Sequence, residues 1–367
     1  MPNYKALVAT AGATVLTAGL TLASLTGVAA ATPGSAATAR PASVPAYYVG
    51  LAYSPKLGSA QPGPVTVKAT KTGQVLATIA PPSGEEFTAV SGAANDRTFV
   101  LAADTTAEVA YRIKHAPTQT GLAAVAAPES LYLMHLSAAG VPSQPTPLGI
   151  PSTPAITDFT LSPDGTSLAV STATQDNTAV SVRSLANGSV RTWTTSTYRG
   201  GKYTYIAAVA DSWAADGMLG TSVVAVHPAA GVYGLLDTTK PGGNLISSIT
   251  TIPDRCGNLI TPDGKLLIGA VTSKGQLPWL LQECSYLHGH ATVTGPAQQL
   301  RWGKYRVSLN EILWTSPTGN TMIAAAINYP ALFKSVTGVL TGNIIKALPD
   351  SSAISFLTIF PGNAVAW

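Results

Sequence analysis

Two histidines separated by one glycine, His288-Gly289-His290, are the closest pairing of metal-ligand side chains in the sequence. On a strand, alternate residues share a face, so both imidazoles could reach one cation. Two ligands fall short of a site, and the intervening glycine reads as a turn, so the segment is expected to be a solvated loop. His115, His135 and His227 stand alone and read as loop or core residues. Glu85-Glu86 and Glu311 offer carboxylates for acid–base work, but no spacing pairs them as glycoside hydrolysis requires. The nucleophile elbow G-x-S-x-G is absent, which removes the serine of the α/β-hydrolases. Pro241-Gly242-Gly243-Asn244 lacks the Lys-Ser/Thr of a phosphate loop and reads as a hairpin loop before a strand. No catalytic residue, metal or cofactor is therefore assigned.

Cys256 and Cys284 are the only thiols, too few for a four-thiolate zinc site and not in C-x-x-C spacing. In an exported chain a disulfide between them is the first expectation, and closing that loop would contribute about 3–4 kcal/mol. The strand reading given below sets them at opposite corners of one sheet, beyond the ~7 Å reach between Cα atoms. Either a strand boundary is displaced by several residues or the thiols are free.

Asp164, Asp216 and Asp263 look like a recurrent acidic set, but their surroundings assign them to structure. Leu161–Val170 (LSPDGTSLAV) has relatives at 260–268 (ITPDGKLLI) and 315–323 (TSPTGNTMI), with degenerate copies at 214–217 (AADG) and 93–100 (AANDRTFV). Each copy is a tight turn. Pro163, Pro262 and Pro317 preset φ, Asp164, Asp216 and Asp263 bond their own backbone, and Gly165, Gly217, Gly264 and Gly319 accept positive φ. Apolar residues flank each corner, so each copy reads as a β-hairpin.

The turn positions 95, 164, 216, 263 and 318 are spaced by 69, 52, 47 and 55 residues, which divides the chain after residue 31 into six units. Between turns lie further strand pairs. Ala179–Leu185 with Val190–Thr194 turns at Asn187-Gly188, and Val65–Ala69 with Val75–Ile79 turns at Lys71-Thr72-Gly73. Four short antiparallel strands in about 50 residues is the arithmetic of a propeller blade. No sustained 3.6-residue apolar period appears after residue 31, so little helix is expected.

At these hairpins the chain resembles bacterial WD40-like propellers of the TolB and YVTN types, and as a whole it is similar to secreted actinobacterial WD40-repeat proteins. The resemblance spans roughly residues 45–367 and is strongest at 156–170, 211–219, 256–269 and 312–324. It implies a single all-β propeller of four-stranded antiparallel blades, six by the spacing with seven as the alternative, and it is almost silent about activity. The Trp-Asp dipeptide of eukaryotic WD40 repeats is absent, so their peptide-binding rules do not carry over. Prolyl-peptidase propellers are resembled only in the gating domain, with no catalytic domain following. A propeller needs its ends to meet. Ala364-Val365-Ala366-Trp367 matches the strand before a turn and Ala46–Leu51 the strand after one, so the two are expected to pair in a shared blade.

Residues 1–31 carry one cation, Lys5, then an uncharged stretch ending in Ala29-Ala30-Ala31, the plan of a secretory signal peptide; an uncleaved membrane anchor is the alternative. Residues 32–44 read as a flexible linker and 45–367 as the propeller domain. Losing Lys5 lowers the net charge from +4 to +3, with no Lys/Arg cluster, so nucleic acid is not an expected partner. With 46% apolar and 10% charged residues the chain is neither disordered nor multi-spanning. Tyr198, Tyr203, Tyr205, Trp213, Tyr233, Trp279, Tyr286, Trp302 and Tyr305 concentrate in one stretch. They offer a stacking surface, although Trp213 and Trp314 read as core between blades. The expected function is a secreted, monomeric, non-catalytic module that binds a protein or cell-envelope ligand. The rivals are a lactonase- or lyase-like propeller enzyme and a membrane-anchored sensor ectodomain.

Overall fold

Apolar runs on either side of each corner pair as antiparallel strands. The computed structural model describes residues 44–54, 59–115, 130–151, 154–174, 176–196, 205–225, 230–253, 256–257, 259–273, 276–287, 289–316, 318, 320–328, 334–349 and 365–367. The first sheet holds β1 (Tyr47–Ser54), β2 (Ser59–Ala69) and β3 (Val75–Ile79). The second holds β4 (Glu85–Gly92), β5 (Thr98–Thr105), β6 (Ser130–His135) and β7 (Thr146–Pro147), with helix α1 (Thr106–His115) following β5. The third is β8 (Ala155–Leu161), β9 (Ser167–Ala173), β10 (Asn177–Ser184) and β11 (Val190–Ser196). The fourth is β12 (Tyr205–Trp213), β13 (Met218–Ala225) and β14 (Ala230–Asp237), then, after β15 (Gly243–Asn244) and α2 (Leu245–Ser248), β16 (Ile249–Thr251). The fifth is β17 (Leu259–Ile260), β18 (Leu266–Ser273), β19 (Gln276–Leu287) and β20 (His290–Val293). The sixth is β21 (Leu300–Trp302), β22 (Tyr305–Thr315), β23 (Met322–Asn328), β24 (Lys334–Thr341) and β25 (Ile344–Ala347).

The last strand, β26 (Val365–Ala366), returns to the first sheet, where Ala366 pairs with Val49 and Val365 with Gly50. The two ends of the described chain thus meet in one sheet, in the order β26-β1-β2-β3. Both expected hairpins form: Val65 opposes Ile79, and Val180 opposes Trp193 across Gly188 at φ +71°. The first and second sheets are joined by a single pair, Gly63 with Phe87, making eight strands in hydrogen-bond terms. In the sixth sheet β21 pairs with β22 and, through Arg301 and Ile344, with β25, so that sheet closes on itself.

The cores lie between sheets, one per interface. Val49, Phe87 and Phe99 bind the first sheet to the second; Ala89, Phe159 and Leu168 bind the second to the third. Val180, Trp193 and Trp213 fill the third interface, and Leu235, Ile260 and Leu267 the fourth. Ile268, Leu300 and Met322 fill the fifth. A further cluster of Tyr48, Trp314, Leu348, Val365 and Trp367 joins the last sheet back to the first. Trp213 and Trp314 are thus core residues between sheets, as their types and positions predict. Each such core is small, so burial is shared around the assembly rather than concentrated.

Two segments depart from expectation. Helix α1 has a start signal in the sequence, Thr105-x-x-Glu108, and Thr105 Oγ1 accepts the Glu108 N–H at 3.2 Å. Its apolar period is too short to stand out. Pro241–Asn244 is not a simple hairpin loop: Gly243 and Asn244 pair in parallel with Trp193 and Thr194 of β11, and Asn244 caps α2. Gly242 makes this possible, because a Cβ there would collide with the Thr192 backbone. Among the described residues no helix is long and apolar enough to cross a membrane. The proposed signal peptide, residues 1–31, lies outside the described residues, as does all of the 32–44 linker except Val44.

Candidate functional site

The turns share one hydrogen-bond scheme. Asp164 Oδ1 accepts the Thr166 N–H at 3.0 Å, Asp216 Oδ1 that of Met218 at 3.1 Å, and Asp263 Oδ1 that of Lys265 at 3.1 Å. Gly165, Gly217 and Gly264 stand at φ +72°, +89° and +72°. Burial pushes the Asp164 carboxyl up, but the Ser162 hydroxyl and the Thr166 amide and hydroxyl outweigh it and hold the group below its usual range. In the second sheet Asn95 Oδ1 plays the aspartate's part toward Arg97 N–H at 2.9 Å, and Asp96 occupies the glycine position at φ +58°. Pro317 and Gly319 lie outside the described residues. The flanking bonds of their copy are nonetheless those of the others: Thr321 N–H donates to Ser316 Oγ as Ser167 N–H does to Ser162 Oγ.

Successive turns also grip one another. Ser91 Oγ accepts the Leu161 N–H at 3.4 Å, and Ser212 Oγ, at the equivalent position two sheets on, accepts the Ile260 N–H at 2.7 Å. A Cβ on Gly165 would strike Thr98, and one on Gly264 would press on Asp216, so these two corners seat against the one before them, whereas a Cβ on Gly217 would meet Thr239 of its own sheet. One strand from each of the six sheets, β26, β4, β8, β12, β17 and β22, borders a narrow cavity of about 120 Å³, lined among others by Ser91, Leu161, Ser212, Ile260, Trp314 and Trp367. Asp211 is the one ionisable side chain among its described lining residues.

A wider groove of about 650 Å³ runs over four successive corners on the turn face. Asn95, Asp164, Asp216, Asp263 and Arg191 edge it, and Trp213 forms part of its floor. Arg191 is anchored by a hydrogen bond from Nη1 to the Thr239 carbonyl at 3.2 Å. The turn residues, assigned to structure by sequence, therefore also compose a concave, charged surface.

A second cluster sits at the other end of the second sheet, and of its members sequence singled out only Glu85. Asp104 at the end of β5 and Arg112 on α1 are both buried and approach to 3.3 Å, while Arg112 Nε meets Glu108 Oε1 at 3.3 Å. Glu85 accepts the Tyr132 hydroxyl at 2.8 Å and that of Ser130 at 3.4 Å. Burial raises the Asp104 carboxyl to about 6; Arg112 opposes that, and Glu108 and Glu85 add to it. Glu85 is thus brought toward Asp104, whereas the side chain of Glu311 lies outside the described residues. The Thr105-x-x-Glu108 cap was the available signal; the pairing with Asp104 needs the helix folded back on β5.

Cys256 and Cys284 form a disulfide with Cα atoms 5.4 Å apart. The strand boundary was the displaced element: β17 begins only at Leu259, and the preceding chain crosses the face of β18 where Gly257 lies against Gly269 and Ile268. That crossing brings Cys256 over to β19. His290 is exposed on β20, and His288, His227, Tyr198 and Tyr203 lie outside the described residues. Among the described residues of the aromatic stretch Tyr233 and Tyr305 are exposed, while Tyr286 and Trp213 are buried.

No family model and no curated protein matches the chain. Among solved structures it is similar to TolB from Acinetobacter baumannii, with 10% identity, 83% of this chain and 65% of that one covered, and a TM-score of 0.40. A periplasmic gluconolactonase from Pseudomonas aeruginosa shows 12% identity over 88% of this chain and 98% of that one, with a TM-score of 0.43. A functionally unknown protein from Desulfotomaculum acetoxidans shows 11% identity over 87% and 98%, with a TM-score of 0.44. Likeness at these levels carries no activity across.

Proposed function

We propose that the chain is an exported, six-bladed propeller that works as a non-catalytic binding module at the cell envelope or outside the cell, presenting its turn face to a protein or envelope component. Six interfaces with a core at each, and the pairing of β26 with β1, support the blade count and the closure of the ring. The Cys256–Cys284 disulfide supports an oxidising compartment. The observation that carries the binding role is the groove of about 650 Å³ across four corners, a volume typical of ligand sites, set on rigid hairpins.

The test is retention of an envelope component on immobilised protein, compared with Arg191→Glu. The reading expects wild-type retention and about a tenfold loss on reversing the charge, with the thermal midpoint unchanged. Turnover of a lactone that disappears in Asp211→Asn would instead establish the channel-enzyme alternative.

A further inference from the structure

A different groove, of about 630 Å³, opens at the seam where the sixth sheet meets the first. Its walls come from the chain entering β1 (Val44, Pro45), the turn after β2 (Thr70, Lys71) and the last strands (Val339, Lys346 and Leu348 among them). Three observations set it apart. Its exposed lining is predominantly apolar, with Val44, Val339 and Leu348 continuous with the core that joins the two sheets. Its described ionisable lining is of one sign at neutral pH: Lys71 and Lys346 are both exposed, with no carboxylate among the described lining residues. Finally, Thr70 is 3% exposed, and its hydroxyl has no hydrogen-bond partner although it lines the groove.

A buried hydroxyl left unpaired costs free energy, so a partner entering the groove would relieve it. Lysine ammonium groups beside an apolar cleft favour an anionic head on an apolar body. The wall is held in place before any ligand arrives. Tyr47 donates its hydroxyl to the Ala138 carbonyl at 3.1 Å, and the Arg97 guanidinium lies over its ring at 5.1 Å. The Thr70 N–H is fixed to the Ala46 carbonyl at 2.9 Å.

We propose that this seam groove binds an aliphatic carboxylate, a medium-chain fatty-acid anion. Its chain lies on Val44, Val339 and Leu348, and its carboxylate meets Lys71 and Lys346 and accepts the Thr70 hydroxyl. The site is distinct from the corner groove, and its occupancy is independent of the retention assay above.

The experiment is calorimetric titration of the purified protein at pH 7.5 with decanoate below its micellar concentration, and with decanol as the uncharged chain of equal length. One-to-one saturable binding of decanoate, about tenfold tighter than decanol, is expected. Lys71→Glu with Lys346→Glu should weaken decanoate by about tenfold and leave decanol unchanged, both lysines being exposed and free to change without unfolding the chain. Thr70→Val should weaken decanoate by about threefold and leave the thermal midpoint unchanged or raised, because it removes an unpaired buried hydroxyl. If the double charge reversal fails to fold, Lys71→Gln with Lys346→Gln reads the same loss at a smaller amplitude. No saturable heat up to about 1 mM decanoate, equal affinity for decanoate and decanol, or unchanged affinity in the charge variants would overturn the proposal.

Discussion

The second and fifth sheets share a four-stranded plan, and each fastens an irregular segment to its flank, but by different bonds. In the second, α1 is tied to β5 by the buried Asp104–Arg112 pair, with Glu108 one turn away on the helix. In the fifth, the chain before β17 is tied to β19 by the Cys256–Cys284 disulfide after crossing β18 at Gly257 and Gly269. The covalent tie acts mainly by restricting the unfolded chain and is blind to pH. The ionic tie takes two charges out of water, so it depends on the protonation of Asp104. One fold thus carries a redox-sensitive flank and a pH-sensitive flank.

Breaking the ionic tie should have the largest effect. Arg112→Met leaves Asp104 buried without its cation and should cost about 3–5 kcal/mol at pH 7.5, measured by urea unfolding. At pH 5 the cost should shrink, because Asp104 then takes up a proton. An equal cost at both pH values would show that α1 is held by packing instead.

Removing the disulfide comes next. Cys256→Ala with Cys284→Ala should lower stability by about 3–4 kcal/mol, and reduction of the wild type should reproduce that loss. The pH dependence of unfolding should be unaltered. A change in that dependence would mean the two flanks are coupled.

The pH effect itself is of similar or smaller size. Asp104 has an ordinary value of 3.8 and is held at about 6 in the folded protein. Between those values the folded chain keeps a proton that the unfolded chain has lost. Its contribution is therefore full below about pH 4 and is lost as pH rises through 6, on the order of 2–3 kcal/mol in total. Asp104→Asn should flatten the fall in thermal midpoint between pH 4 and 6. Asp96, also raised to about 6 by burial against the pull of Arg97, leaves a residual slope that Asp104→Asn does not remove.

The smallest effect concerns the corners. The fifth sheet has glycine at its positive-φ position, whereas the second has Asp96 at φ +58°. Asp96→Gly should stabilise the protein by about 1 kcal/mol by relieving the left-handed backbone and the buried carboxylate, measured as a rise in thermal midpoint. Gly264→Asp in the fifth sheet should cost at least as much, since its Cβ would press on Asp216.

What was legible in the sequence was local. Pro163-Asp164-Gly165 and its copies specify a turn through φ preferences and a side chain bonding its own backbone, so their spacing revealed the hairpins and the unit length. The returning strand was legible as well, because Ala364–Trp367 matches the strand before a corner and Ala46–Leu51 the strand after one. The candidate sites were legible only in part. The corner aspartates were found, but their assembly into a groove was not, and neither were Thr70 with Lys71 and Lys346, whose partners lie about 275 residues apart in the chain.

Sequence alone therefore determined the all-β class, the corner chemistry and the strand that joins the chain's ends, because each depends on preferences within a few residues. Only the tertiary structure decided that Cys256 reaches Cys284, that Arg112 folds back on Asp104, and that an apolar groove with two lysines opens at the seam. Those outcomes depend on where one strand crosses another and on which charges lose their water. Both are set by packing between segments far apart in sequence, and no local pattern encodes them.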